Sequence, residues 1–197
     1  MGKSVVFNTS TYNPRRNLPS EIASKRTEAN FVGAFQRRYM EEKDIHGIGV
    51  HHFAISGYGI ADFVWLDNPH THSKSCYPLS QKSIREHLLG TTMTAFEMKL
   101  TDWKKAIQQA YRYSYFADTS IVVLPSGRRA AVLPQIELFK QMDIGLWFFD
   151  KKNDTITKTL TPSRNSPRNT VAKEKAVDLL VRKVYLRSLR KSTNSVP

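Results

Sequence analysis

The run "TSIVVLP", residues 119–125, constrains the fold of this chain more than any other stretch. It is β-branched and apolar without alternation, and a strand with apolar side chains on both faces must be covered on both. Such a strand belongs at the centre of a sheet flanked by helices, the α/β class. Its upstream neighbours agree with that class. Residues 93–100 read as a strand, and residues 102–116 as a helix that starts at Asp102, a good N-cap, and buries Trp103, Ala106, Ile107 and Ala110.

The remaining elements follow from the same periodicities. Residues 1–19, with Pro14, Pro19 and Arg15-Arg16, read as an extended arm. Over 20–42 the apolar positions Phe31, Val32, Phe35 and Tyr39 fall on one helical face, with Glu28 in line with them. Glu28 is either a boundary residue that extends its carboxylate to water or an acid that faces a site. "IHGIGVHHFAIS" and "YGIADFVWL" form a hairpin around Ser-Gly, with Asp62 in its second strand and His51 and His52 on opposite sides of its first. A loop over 67–79 leads to a short helix closed by Gly90. After residue 125, helical spacing covers 130–142, and a second hairpin joins "IGLWFFD" to "TITKTLT". Residues 162–170 look like a linker, and 171–191 like a helix with Val177, Leu180, Val181 and Val184 on one side. The expected organisation is an arm (1–19), a core domain (20–161), and a linker with a basic helix (162–197).

Charge narrows the partners. The 197 residues carry a formal charge of +13, and 12 of the 30 basic side chains but 3 of the 17 acidic ones lie in residues 151–197. Such an excess attracts polyanions, nucleic acid first. Arg182, Lys183, Arg187, Arg190 and Lys191 crowd the last helix, which is either an amphipathic helix packed on the core or a phosphate clamp. The single cysteine, Cys76, excludes an internal disulfide and a four-cysteine metal site. His70, His72 and Cys76, with His87, offer a zinc set, but a flexible polar loop explains that composition better. Neither a membrane-spanning run nor a secretory leader is evident, so a soluble, cytoplasmic protein without membrane association is expected. No G-x-x-x-x-G-K phosphate loop occurs.

The chemistry centres on "AFEMKL". Alternation along a strand puts Glu97 and Lys99 on one face and Phe96, Met98 and Leu100 on the other. Glu41-Glu-Lys43, Asp102-Trp-Lys104 and Asp150-Lys-Lys152 repeat the tripeptide pattern but lack its context: a strand before, a helix after, and an earlier strand-borne carboxylate, Asp62. Two carboxylates on neighbouring strands can hold a hard divalent cation, and a lysine beside them adds charge stabilisation. The plainer alternative is a structural ion pair on an exposed sheet face.

These residues resemble the PD-(D/E)xK, or restriction-endonuclease-like, nuclease superfamily. Asp62, preceded by Ala61 in place of proline, is similar to its first metal-binding aspartate, and Glu97-Met98-Lys99 to its E-x-K element. Gln109 and Tyr113 resemble the Q-x-x-x-Y element of RecB-type and lambda-exonuclease-type members; without the resemblance they are ordinary boundary residues of a helix. Glu28 is similar to the acidic residue on the helix before the core. The resemblance covers roughly residues 20–125 and implies a mixed sheet in the order α-β-β-β-α-β, with the later hairpin and terminal helix as additions.

It further implies a DNA nuclease, with RNA left open, that uses Mg²⁺ or Mn²⁺ held by Asp62, Glu97 and the Met98 carbonyl. Lys99 would position or activate the attacking water, Glu28 would be an outer acid, and Gln109 and Tyr113 accessory. Lys104, Lys105, Arg112, Arg182, Lys183, Arg187 and Arg190 would contact the nucleic acid. A homodimer, or a helicase or recombination partner, is compatible with one site per chain. The alternatives are a non-catalytic nucleic-acid-binding protein of the same fold and a nuclease-like subunit of a DNA-processing complex.

Overall fold

The computed structural model describes residues 5–8, 19–43, 47–67 and 80–193, with side chains over 27–43, 47–67 and 80–182. The elements in chain order are β1 (Val5–Asn8), α1 (Pro19–Glu42), β2 (Gly47–Ile55), β3 (Gly59–Asp67), α2 (Gln81–Leu89), β4 (Met93–Met98), α3 (Trp103–Tyr113) and β5 (Thr119–Pro125). They continue as α4 (Arg129–Val132), α5 (Ile136–Met142), β6 (Gly145–Asp150), β7 (Thr155–Leu160) and α6 (Thr170–Thr193). The chain is therefore α/β.

The seven strands form one mixed sheet in chain order. β3 pairs antiparallel with both β2 and β4, β4, β5 and β6 run parallel, β7 returns antiparallel, and β1 adds a parallel edge within the stretch read as an arm. The parallel step from β4 to β5 needs a crossover, which α3 supplies. As its uninterrupted apolar run requires, β5 is buried along Ser120–Leu124.

α1 covers one face, where Phe31, Val32, Phe35 and Tyr39 pack against Phe63, Trp65, Phe96 and Phe149. Burying each such ring contributes about 2 kcal/mol. Trp65 lies so close over Gly47 that a Cβ there would run into the indole. On the other face, α6 and α2 meet Val64, Leu66 and Ala95, while Ala106, Ile107 and Ala110 of α3 meet Val122, Leu124 and Phe148. α6 is tied down by a buried ion pair. Lys173 Nζ reaches both oxygens of Asp118 at 2.8 and 2.9 Å and donates to the Thr91 carbonyl, while Asp118 Oδ2 accepts the Met93 N–H at the start of β4.

Four expectations change. The helical stretch over 130–142 is two short helices separated by a 3₁₀ turn, Leu133–Gln135, because Pro134 supplies no N–H to a continuous helix. The strand containing Glu97 stops at Met98, and α3 stops at Tyr113. Tyr113 is fully buried among core residues, so it is not a boundary residue. Val184 lies outside the described side chains. Among the described residues no helix is long and apolar enough to cross a membrane.

Candidate active site

The site forms where β3 and β4 part. Their ladder runs from Leu66↔Met93 to Phe63↔Phe96 and stops there, one step before Asp62 would pair with Glu97. Beyond that point Asp62 Oδ2 accepts the Met98 N–H at 2.8 Å, taking the place of a strand partner. Residues facing each other across antiparallel strands share a face, so the two carboxylates point to the same side. In an extended strand the N–H and C=O of one residue point the same way, which aims the Met98 carbonyl towards the Asp62 side as well.

β2 is irregular at the same level. Pairing skips from His51↔Phe63 to Phe53↔Ala61, so His52 lies opposite Asp62, with φ at +46°. A bulky residue adopts that backbone region rarely. His52, Asp62 and Glu97 thus line up across three strands, and proximity to His52 favours the ionised form of Asp62. Sequence reading placed His51 and His52 on a strand without linking either to the site; the missed feature was an irregularity that only cross-strand pairing reveals.

Glu97 is fully buried, yet it carries a carboxylate. Oε2 lies 2.7 Å from the Tyr113 hydroxyl, and Lys99 Nζ stands 2.9 Å from Oε1. Among the described residues that ion pair is the one polar contact of Oε1, and its angles fall short of a well-aligned hydrogen bond. Burial, reinforced by the Asp62 charge, pushes the Glu97 carboxyl up to about 7, against the pull of Lys99 and Tyr113. Burial also raises the Asp62 carboxyl, with Lys99 and the Met98 N–H opposing. Burial would lower the Lys99 ammonium, but Glu97 and Asp62 outweigh it and hold the ammonium above its ordinary range. Glu28, on α1, completes the cluster at 3.4 Å from Lys99 Nζ.

Asp62, Glu97, Lys99, Glu28 and Tyr113 therefore come together in one cluster. Gln109 is half-buried, and its Oε1 has no hydrogen-bond partner; among the described residues no ion pair or hydrogen bond of the cluster involves it. Asp102 caps α3 through the Lys105 N–H, yet the first turn carries Lys104 and Lys105, where the helix dipole favours anions. Lys104, Lys105, Arg112 and Arg182 are exposed, whereas the side chains of Lys183, Arg187 and Arg190 lie outside the described residues. So do His70, His72 and Cys76 of the weighed zinc set; His87 stands on α2.

Among the described residues no group of three or more histidine, cysteine, aspartate or glutamate side chains is placed to hold a metal ion. What the cluster offers is an all-oxygen donor set: two carboxylates, one with a buried oxygen lacking an aligned donor, beside a backbone carbonyl. That set suits a hard cation such as Mg²⁺, which keeps several waters and takes few protein ligands. No protein-family model matches this sequence, and no curated protein matches it significantly.

Proposed function

We propose that this chain is a metal-dependent nuclease of the PD-(D/E)xK type, with a restriction-endonuclease-like core, that hydrolyses phosphodiester bonds in DNA. The observation that carries the reading is the meeting of Asp62 and Glu97 at the parted ends of β3 and β4, with Lys99 against Glu97. A structural ion pair has no need of a second buried carboxylate: Asp62 raises the cost of ionising Glu97, an arrangement that a bound cation would reverse. The order α1–β2–β3–β4–α3–β5, with α2 inserted before β4, agrees with the order implied by the resemblance.

Asp62, Glu97 and the Met98 carbonyl would hold Mg²⁺ or Mn²⁺. When bound, such an ion lowers the pKa of its water and offsets charge developing on the phosphodiester. Lys99, kept cationic by its carboxylate neighbours, can orient the attacking water through its N–H donors and stabilise the phosphorane charge, but does not suit the role of general base. Glu28, outside the carboxylate pair, restrains the Lys99 side chain. Tyr113 locks the Glu97 rotamer. Lys104 and Lys105, on the turn just after Lys99, fit phosphate contacts that neutralise backbone charge without reading sequence.

The test is cleavage of supercoiled and linear DNA, with RNA in parallel, in Mg²⁺, Mn²⁺ or EDTA, comparing the protein with Glu97→Ala. Metal-dependent cutting that disappears in the variant is the expected result. Salt-sensitive binding without cutting in any metal would replace this reading with a nucleic-acid-binding protein or a subunit that works only in a complex.

A further inference from the structure

Beside the carboxylate cluster lies a cavity of about 350 Å³, within the range of small-ligand sites. Its boundary uses the chain neighbours of two cluster residues: Leu100 follows Lys99, and Thr27 precedes Glu28. One wall is apolar, made by Leu100, Pro125 and the paired rings of Phe31 and Phe149, whose centroids are 5.6 Å apart. The turn between β6 and β7 adds Lys151 and Lys152 to the rim. Asp150 is also on that rim. Its carboxylate is engaged within the turn, accepting the N–H groups of Lys152 and Asn153 and the Asn153 side-chain amide. Both lysines are exposed, so the rim presents cations next to an apolar wall.

An apolar wall and a cationic rim match the two halves of a nucleotide, a base and its phosphate. A base stacked and paired within a duplex cannot enter such a cavity; an unpaired one can. We infer that this cavity receives an unpaired nucleotide next to the bond to be cut, so that the preferred substrate carries a single-stranded segment at the scissile position. This rests on the reading of the adjacent cluster as a nucleic-acid site, and deepens it by naming the substrate's form. Lys151 and Lys152 hold the phosphate, and the wall excludes water from one face of the base.

Gly127 offers a way to close the cavity. A Cβ there meets no atom within 4 Å and the backbone does not require glycine, so a side chain can start from this cavity-lining position without backbone strain. The experiment measures equilibrium binding in EDTA of a labelled DNA duplex with a single-stranded overhang against a blunt duplex of equal length. It uses the full chain, Gly127→Trp, Lys151→Ala/Lys152→Ala and Glu97→Ala, each with its melting temperature as a folding control. The expected result is about tenfold tighter binding of the overhang substrate. Gly127→Trp loses that preference while keeping blunt-duplex affinity within about twofold, the double lysine variant loses the preference even where it weakens both DNAs, and Glu97→Ala retains it. Equal affinity for the two DNAs, no binding of either, or a preference unchanged in both cavity variants overturns the inference. Cleavage in Mg²⁺ is scored separately. A chain that cuts but shows no overhang preference keeps the nuclease reading and loses the cavity; one that shows the preference but never cuts does the reverse.

Discussion

The Tyr113 hydroxyl stands between two acceptors, 2.7 Å from Glu97 Oε2 and 2.6 Å from the Ile60 carbonyl. A phenol has one proton to donate, so it cannot serve an ionised Glu97 and the carbonyl at once. The phenol that donates to Glu97 Oε2 is therefore contested by the Ile60 carbonyl. That contest limits how far it offsets the burial that raises the Glu97 carboxyl to about 7. Replacing Tyr113 by Phe keeps the ring and deletes this link. The expected loss is on the order of 1–3 kcal/mol of stability, read by urea unfolding. Because the phenol favours the ionised carboxylate, the acid limb of any pH–rate profile should also move to higher pH.

Lys99→Ala is expected to reduce cleavage by roughly 10²–10³-fold at saturating substrate, the scale of losing one preorganised charge donor. DNA affinity should stay measurable, since the exposed cations Lys104, Lys105 and Arg112 are untouched. Wild-type turnover in this variant would falsify the role given to Lys99.

In EDTA, stability should fall as pH rises from about 4.5 to about 7. Between those values folded Glu97 holds a proton that the unfolded chain has released, so the unfolded state binds fewer protons and ΔG of unfolding declines with pH. The full effect is at most on the order of 3 kcal/mol. Denaturant unfolding at several pH values checks it, with Glu97→Gln as the reference that retains every histidine. The variant should flatten the profile, and saturating Mg²⁺ should restore stability at neutral pH only in the protein that keeps Glu97.

Lys173→Met should destabilise the fold by about 3–5 kcal/mol, because it leaves the Asp118 carboxylate buried without its cation. The measurement is urea unfolding, with loss of the α6 signal in hydrogen exchange as its local counterpart. A change below about 1 kcal/mol would mean that Asp118 is sufficiently served by the Met93 N–H.

Several features were legible because they depend on residues near in sequence. The double-faced burial of β5 follows from its uninterrupted apolar run. The common face of Glu97 and Lys99 follows from alternation, and Asp102 as the cap of α3 from its side chain. Other features depend on partners distant in sequence. Nothing in "HHFAIS" shows that His52 opposes Asp62 with an unusual backbone, since that is a property of the β2–β3 register. Apart from the resemblance, the position of Tyr113 on α3 does not say where the helix docks; packing beneath the β2–β3 hairpin brings its hydroxyl to Glu97 and Ile60. The cavity beside Lys99 joins α1, β5 and the β6–β7 turn, three stretches with no common local pattern.

Taken alone, the sequence determined the class of fold, the alternation of strands and helices, and the residues able to do chemistry, because periodicity and side-chain type are local quantities. Only the tertiary structure decided that the β3–β4 ladder ends one step short of Asp62 and Glu97. Where that ladder stops is a matter of cross-strand pairing, which no local pattern encodes, and at that point Asp62 and Lys99 meet the buried Glu97.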